Sequence, residues 1–163
     1  MICYCYKRHI RRIAIKDTTL PGACKKASMK YVPCDINVFK SGTWSGRYLQ
    51  FGVWSQPSCI SLSFDHISCR VHGSGADDVG TYTINGSYSK EEGRMVLVKR
   101  YQLGTGDPEG NLGHRVLIRL VWNPETCQFE GPWYIRTKVY CGMDKFELKF
   151  NENVKIWMTS TPH

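Results

Sequence analysis

From about residue 59 to residue 150 the chain alternates apolar and polar side chains with a period of two, segment after segment, with turn residues between. Ile60, Leu62 and Phe64 alternate with Cys59, Ser61 and Ser63; Tyr82, Ile84, Gly86 and Tyr88 with Thr81, Thr83, Asn85 and Ser87; Val116, Ile118, Leu120 and Trp122 with Arg115 and Arg119. Later come Phe129, Gly131, Trp133 and Ile135, then Phe146, Leu148 and Phe150 against Lys145, Glu147 and Lys149. Met95–Tyr101 reads as a strand apolar on both faces at its centre. Asp65-His66 reads as a two-residue turn, after which Ile67, Cys69 and Val71 alternate with Ser68, Arg70 and His72. Glu91-Glu92-Gly93 and Asn123-Pro124-Glu125 are further turns, and a last short strand through Ile156 brings the count to roughly nine. No stretch within this run has helical periodicity. The expectation is an all-β, antiparallel fold with one apolar and one wet face per strand. An up-and-down barrel and a two-sheet sandwich both fit. Short sequential turns favour the barrel, because a single sheet of this size hides its edges by curling.

The first strand is expected in Gly42-Thr43-Trp44-Ser45-Gly46-Arg47-Tyr48-Leu49-Gln50-Phe51-Gly52, where Gly42, Trp44, Gly46, Tyr48, Gln50 and Gly52 would share one face. The glycines leave room for aromatic rings or for a bend in the sheet. Glycine two residues before an aromatic returns in Gly80-Thr81-Tyr82, Gly86-Ser87-Tyr88 and Gly131-Pro132-Trp133.

Gly42-Thr43-Trp44 at the head of a meander resembles the G-x-W signature of the calycins, the barrel family that includes lipocalins, avidins and fatty-acid-binding proteins. The longer string, continuing to Gly46, Tyr48, Gln50 and Gly52 and followed by Gly73, Gly75, Asp77 and Gly80, is similar to calycin-like domains that are largely uncharacterised. The resemblance covers residues 42 to about 158. It implies a barrel holding a small molecule, with Gly42, Trp44, Gly46, Gly80, Gly131 and Trp133 as its structural signature. It also implies a late basic side chain over Trp44, for which Arg136 and Lys155 are the candidates. The biotin-binding pattern of the avidins, the lipocalin disulfides and a secretory signal are not recognisable here.

The formal charge of +8 divides unevenly. Residues 1–40 hold nine Lys/Arg against Asp17 and Asp35; residues 41–163 hold thirteen against twelve Asp/Glu. The expected organisation is a basic, poorly structured segment over 1–40 and a barrel domain over 41–163. A solvated tail is the favoured reading of the basic segment. Lys7, Arg8, Arg11 and Arg12 would also suit a transit-peptide-like helix, or a protein or membrane surface beside acylated Cys3 and Cys5; nucleic acid is the least favoured partner. No stretch approaches the length of a transmembrane helix. Eight cysteines, with Cys3, Cys5, Cys24 and Cys34 forming no C-x-x-C pair, point to a reducing interior, cytoplasmic or mitochondrial. Cys59 and Cys69 read as small hydrophobes on strands.

No residue set forces a particular chemistry. His66, Cys69 and His72 ahead of Asp77 and Asp78 are zinc-ligand types, yet on one extended strand Cys69 points away from both histidines, so no metal is expected. Gly73–Gly80 is glycine-rich but has no following helix and no Lys, as a phosphate cradle requires; Asp77 is better read as capping its own turn. No G-x-S-x-G occurs, and no nucleophile has a base assigned to it, so no catalytic residue is proposed. Trp44, Tyr48 and Gln50 are the candidate ligand-binding residues, placing an indole, a phenol and an amide on one face of an otherwise apolar interior. No cofactor is implied. A non-enzymatic binding module for a small apolar or amphipathic ligand is the first expectation. A filled barrel that docks a protein or membrane comes second, and a barrel enzyme last.

Overall fold

A computed structural model describes residues 37–138 and 140–152. The readings attached to Lys7, Arg8, Arg11, Arg12, Cys3, Cys5, Cys24, Cys34, Lys155 and the strand through Ile156 lie outside the described residues. Nine antiparallel strands follow one another: β1 Gly42–Gln50, β2 Val53–Trp54, β3 Ser58–Asp65, β4 Arg70–Ala76, β5 Thr81–Ser89, β6 Arg94–Tyr101, β7 Arg115–Asn123, β8 Gln128–Arg136 and β9 Cys141–Phe150. Each of β3 to β8 pairs with the next strand, β1 pairs with β3, and β9 returns to pair with β1 from Trp44↔Phe150 to Tyr48↔Phe146. Eight strands thus close an up-and-down barrel, and the two-residue β2 is an outer addition to the end of β1. This resolves the choice between barrel and sandwich. The described residues contain no helix long and apolar enough to cross a membrane.

Closure turns the alternation into an inside and an outside. The buried set takes every second residue of each strand: Ile60, Leu62 and Phe64; Tyr82, Ile84 and Tyr88; Met95, Leu97, Lys99 and Tyr101; Ile118 and Leu120; Phe129 and Trp133; Phe146 and Leu148. Tyr48, Tyr82, Tyr88 and Trp133, each two residues after a glycine, belong to this inner set or pack against it. Gly46 is inward and buried; a Cβ there would lie 2.6 Å from Ile60 Cδ1 and 3.1 Å from the Phe146 ring. Gly131 is tighter still, since a Cβ would meet Arg119 O at 2.0 Å. Pro132 follows it without an N–H to donate, and the β7–β8 ladder skips from Ile118↔Trp133 to Val121↔Glu130 at this point.

Alternating strand direction sends the ends of β1, β4, β6 and β8 to one mouth of the barrel and their beginnings to the other. The second end is plugged with rings. Trp44 is 0 % exposed and packs edge-on against Phe150 at 5.1 Å, with Phe64 and Phe129 at about 6 Å. Its indole N–H donates to Lys40 O at 3.0 Å. Phe39 fills the opening, stacked on Tyr88 at 4.4 Å and tilted against Phe129 and Phe64. The segment just before β1 therefore supplies core, which no alternation could announce, because Val38 and Phe39 are consecutive and lie outside any strand.

Several local expectations are corrected. Ile67 is 97 % exposed, and residues 66–69 form the turn between β3 and β4, with Cys69 at φ 53°. Asp65 shapes that turn by accepting from Ile67 N, Ser68 N and Ser68 Oγ, so the strand resumes only at Arg70. Cys59 is exposed rather than core, and the four described cysteines are free thiols. Phe51 turns to φ 53° and Gly52 to φ 79°, which ends β1 at Gln50 and removes Gly52 from the shared face. The glycine-rich stretch expected over Gly73–Gly80 begins inside a strand, since Gly73 to Ala76 belong to β4.

Candidate functional site

The other mouth is open. A cavity of about 370 Å³ enters the barrel there, within the size range of small-molecule sites. Its apolar wall comes from the strand ends of β7, β8 and β9, where Val116, Ile118, Trp133, Ile135 and Phe146 face inward. Its polar side comes from β1 and β6, with Tyr48, Gln50, Lys99 and Tyr101, and from His114 just before β7. Tyr48 and Gln50 both line this cavity. Trp44 does not: four residues earlier on β1, it belongs to the plugged end, and its place in the candidate ligand-binding set is corrected.

Both polar β1 side chains have protein partners. The Tyr48 hydroxyl donates to the Asp78 carboxylate at 3.0 Å, and Gln50 Nε2 donates to the Tyr140 hydroxyl at 3.1 Å. Trp133 packs edge-on against Tyr48 and gives its indole N–H to Leu49 O at 3.0 Å.

At the inner end of this polar side lies a buried ion pair. Lys99 occupies an inward position of β6, in the series Met95, Leu97, Lys99, Tyr101. Its ammonium bonds Asp77 Oδ2, each side chain being 5 % exposed. Tyr101 donates to the same oxygen at 2.8 Å. Asp77 Oδ1 accepts from Val79 N at 3.1 Å and Gly80 N at 3.3 Å, which is the turn cap expected from the sequence, now with a second task. The Lys99 ammonium also lies 3.9 Å from the Tyr82 ring centroid, 4.6 Å from Tyr101 and 6.0 Å from Tyr48, a three-ring cage that compensates part of its lost hydration. Burial depresses the Lys99 pKa, and Asp77 opposes that shift.

The cage works on the phenols in return. Burial, before the nearby carboxylates, raises Tyr48, Tyr101 and Tyr82, the last to about 12; Ser58 beside Tyr82 opposes the shift without a hydrogen bond of standard geometry. Tyr88, in the plugged end, is raised as well, by burial first. A folded pKa above the unfolded value of 10.0 means stability that is fully present below pH 10 and is lost as the pH climbs towards the folded value. Absorbance titration at 295 nm should therefore show four of the nine tyrosines lagging, and the urea midpoint should fall as the pH rises above 10. A single phenol midpoint near 10 in a barrel that stays folded would contradict the cage.

Residues 102–114 complete the mouth. Asn111 is buried and organises them: Nδ2 donates to Gln102 O at 2.8 Å and Thr105 O at 2.6 Å, while Oδ1 accepts from Gly113 N. Asp107 N reaches Val79 O, so this segment and the Asp77 turn form one wall. Exposed Phe51, Val53, Leu103, Leu112 and Met143 come from segments at this end of the barrel.

The remaining sequence candidates sit elsewhere. His66 bonds Tyr88 in the 66–69 turn at 2.8 Å, and exposed His72 bonds Asn85 at 2.9 Å, so neither meets Cys69. Among the described residues no three His, Cys, Asp or Glu side chains cluster as a metal shell. Arg136 ends β8 exposed at the open end, away from Trp44; Lys40, 5.3 Å over the Phe150 ring, is the cation beside that aromatic plug. No protein-family model, curated protein or solved structure matches the chain.

Proposed function

We propose that the chain is a non-enzymatic binding module that holds a small, largely apolar molecule in the open end of the barrel. The observation that carries this reading is the cavity of about 370 Å³ with Tyr48 and Gln50 on its wall, in a barrel whose other end is packed solid. A barrel serving only as scaffold would fill both ends, since each unfilled volume forfeits dispersion contacts along its lining. The apolar wall supplies burial for a hydrocarbon body, and the polar side supplies orientation. The resemblance to calycins points the same way, at the level of fold alone.

The neutral fluorophore N-phenyl-1-naphthylamine tests it with the full chain. Its emission should rise on binding, and Ile135→Trp, which fills the cavity from the β8 wall, should abolish the rise while leaving the circular dichroism spectrum of the barrel intact. Equal enhancement in the two proteins, or none in the wild type, would move the reading to surface docking through the exposed apolar residues at the mouth.

A further inference from the structure

The charge left over on the cavity wall defines what kind of head group it takes. This inference rests on the binding reading above and narrows it. Two side chains that are charged at neutral pH line the cavity, Lys99 and Glu109. Lys99 is neutralised by Asp77 and enclosed by rings at the inner end. His114 adds no charge at pH 7.5, because burial first and the Lys99 charge second hold its pKa down. Glu109 has no ion pair among the described residues and stands exposed in the 102–114 segment. Asp107 fixes the backbone there, its Oδ1 accepting from Glu109 N at 3.0 Å. The uncompensated charge of the wall is therefore one carboxylate, placed where water still reaches it.

The rest of the mouth has the same sign. The four segments that connect barrel strands at this end, 51–57, 77–80, 102–114 and 137–140, hold Asp77, Asp78, Asp107 and Glu109 against Lys138 alone. Arg100, Arg115 and Arg136, on the adjoining strand ends, occupy the alternate positions that face away from the cavity. Rings complete the setting. Phe51 and Tyr140 both line the cavity, in edge contact with centroids 6.3 Å apart, and Phe51 is 84 % exposed. The face of such a ring is electron-rich, so it attracts a cation and repels a carboxylate. An ammonium at the mouth keeps part of its hydration, meets Glu109 and the rings, and leaves Lys99 paired. A carboxylate there meets Glu109 as a like charge, with the one cation of the wall already taken. We propose that the cavity takes a cationic amphiphile, an apolar chain carrying an ammonium group, with the chain against Trp133, Ile135 and Phe146 and the ammonium beside Glu109 at the mouth.

Three probes that share one hydrocarbon chain test this: decylamine, 1-decanol and decanoate, each titrated at pH 7.5, below its micelle-forming concentration, as a displacer of N-phenyl-1-naphthylamine from the full chain. In low-salt buffer decylamine should displace at a concentration at least fivefold lower than decanoate, and about 0.5 M sodium chloride should shrink that gap by screening. Glu109→Gln keeps the shape of the side chain and removes its charge. In that variant decylamine should weaken about threefold, the scale of an exposed ion pair, while decanol, which carries no charge, displaces as before. Decanoate matching decylamine in the wild type would overturn the head-group inference and leave the binding reading standing. So would decylamine displacement that is unchanged in Glu109→Gln, or that weakens only in step with decanol. A wild-type protein that takes up neither the fluorophore nor any of the three probes would overturn both.

Discussion

Replacing Trp44 by alanine should destabilise the barrel by about 3–5 kcal/mol, the usual range for a buried aromatic. The indole is 0 % exposed, touches rings from three strands, and ties β1 to the preceding segment through Lys40 O. Its removal leaves a cavity between Phe64, Phe129 and Phe150 that these large rings are poorly able to close, so the upper part of the range is expected. Urea denaturation at pH 7 measures it. Because Trp44 lies at the plugged end, the variant's folded fraction should still bind N-phenyl-1-naphthylamine with wild-type affinity. A loss below 1 kcal/mol would remove Trp44 from the centre of the fold.

Asp77→Asn should be comparably severe, about 3–5 kcal/mol, the range for breaking a buried pair by removing one partner. The substitution preserves Oδ1 as acceptor for Val79 and Gly80 N–H, so the turn survives and the lost charge is isolated as the cause. Lys99 is then left with only aromatic faces around it. The pH response has a definite sign. The folded Lys99 pKa already lies below 10.5 through burial, and without Asp77 it falls further. Between that value and 10.5 the unfolded state binds more protons, so the variant regains stability as the pH rises from 7 towards 9.5, before the tyrosines interfere. Lys99→Met added to Asp77→Asn removes the stranded charge and should recover much of the loss at pH 7. An Asp77→Asn protein within 0.5 kcal/mol of wild type would show that the pair does not hold this end together.

Much of this architecture was legible because an alternating strand carries its own inside and outside. Tyr82–Tyr88, Val116–Trp122 and Phe146–Phe150 each present the side that their pattern indicates, and the turns at Gly93 and Pro124 fall where their residues place them. Errors gathered where polarity and alternation disagree with turn geometry. Ile67 and Cys69 continue an apparent period across a turn that Asp65 builds from its side chain. Phe39 is core from outside any pattern.

The site was half legible. Spacing alone put Tyr48 and Gln50 on one face of β1, and barrel closure turns that face towards the cavity. Lys99 left a readable signal, a charge at an inward position between Leu97 and Tyr101, which in a barrel must find a buried partner. That partner could not be read off, since Asp77 is 22 residues away and meets Lys99 only once β4, β5 and β6 curl around a common axis. His114 left no signal, because it precedes β7 in a segment without alternation that Asn111 shapes through backbone carbonyls.

Methyl-resolved NMR during titration of the isoleucine-labelled protein with 1-decanol bears most directly on the central claim, that the open end is a binding cavity. Ile118 and Ile135 line it, Ile60 and Ile84 are core residues that do not, and Ile67 points into solvent. Saturable shifts at Ile118 and Ile135, with Ile60, Ile84 and Ile67 essentially unmoved, are the expected result. Shifts confined to Ile67, or no saturable shift at Ile118 and Ile135, would contradict it.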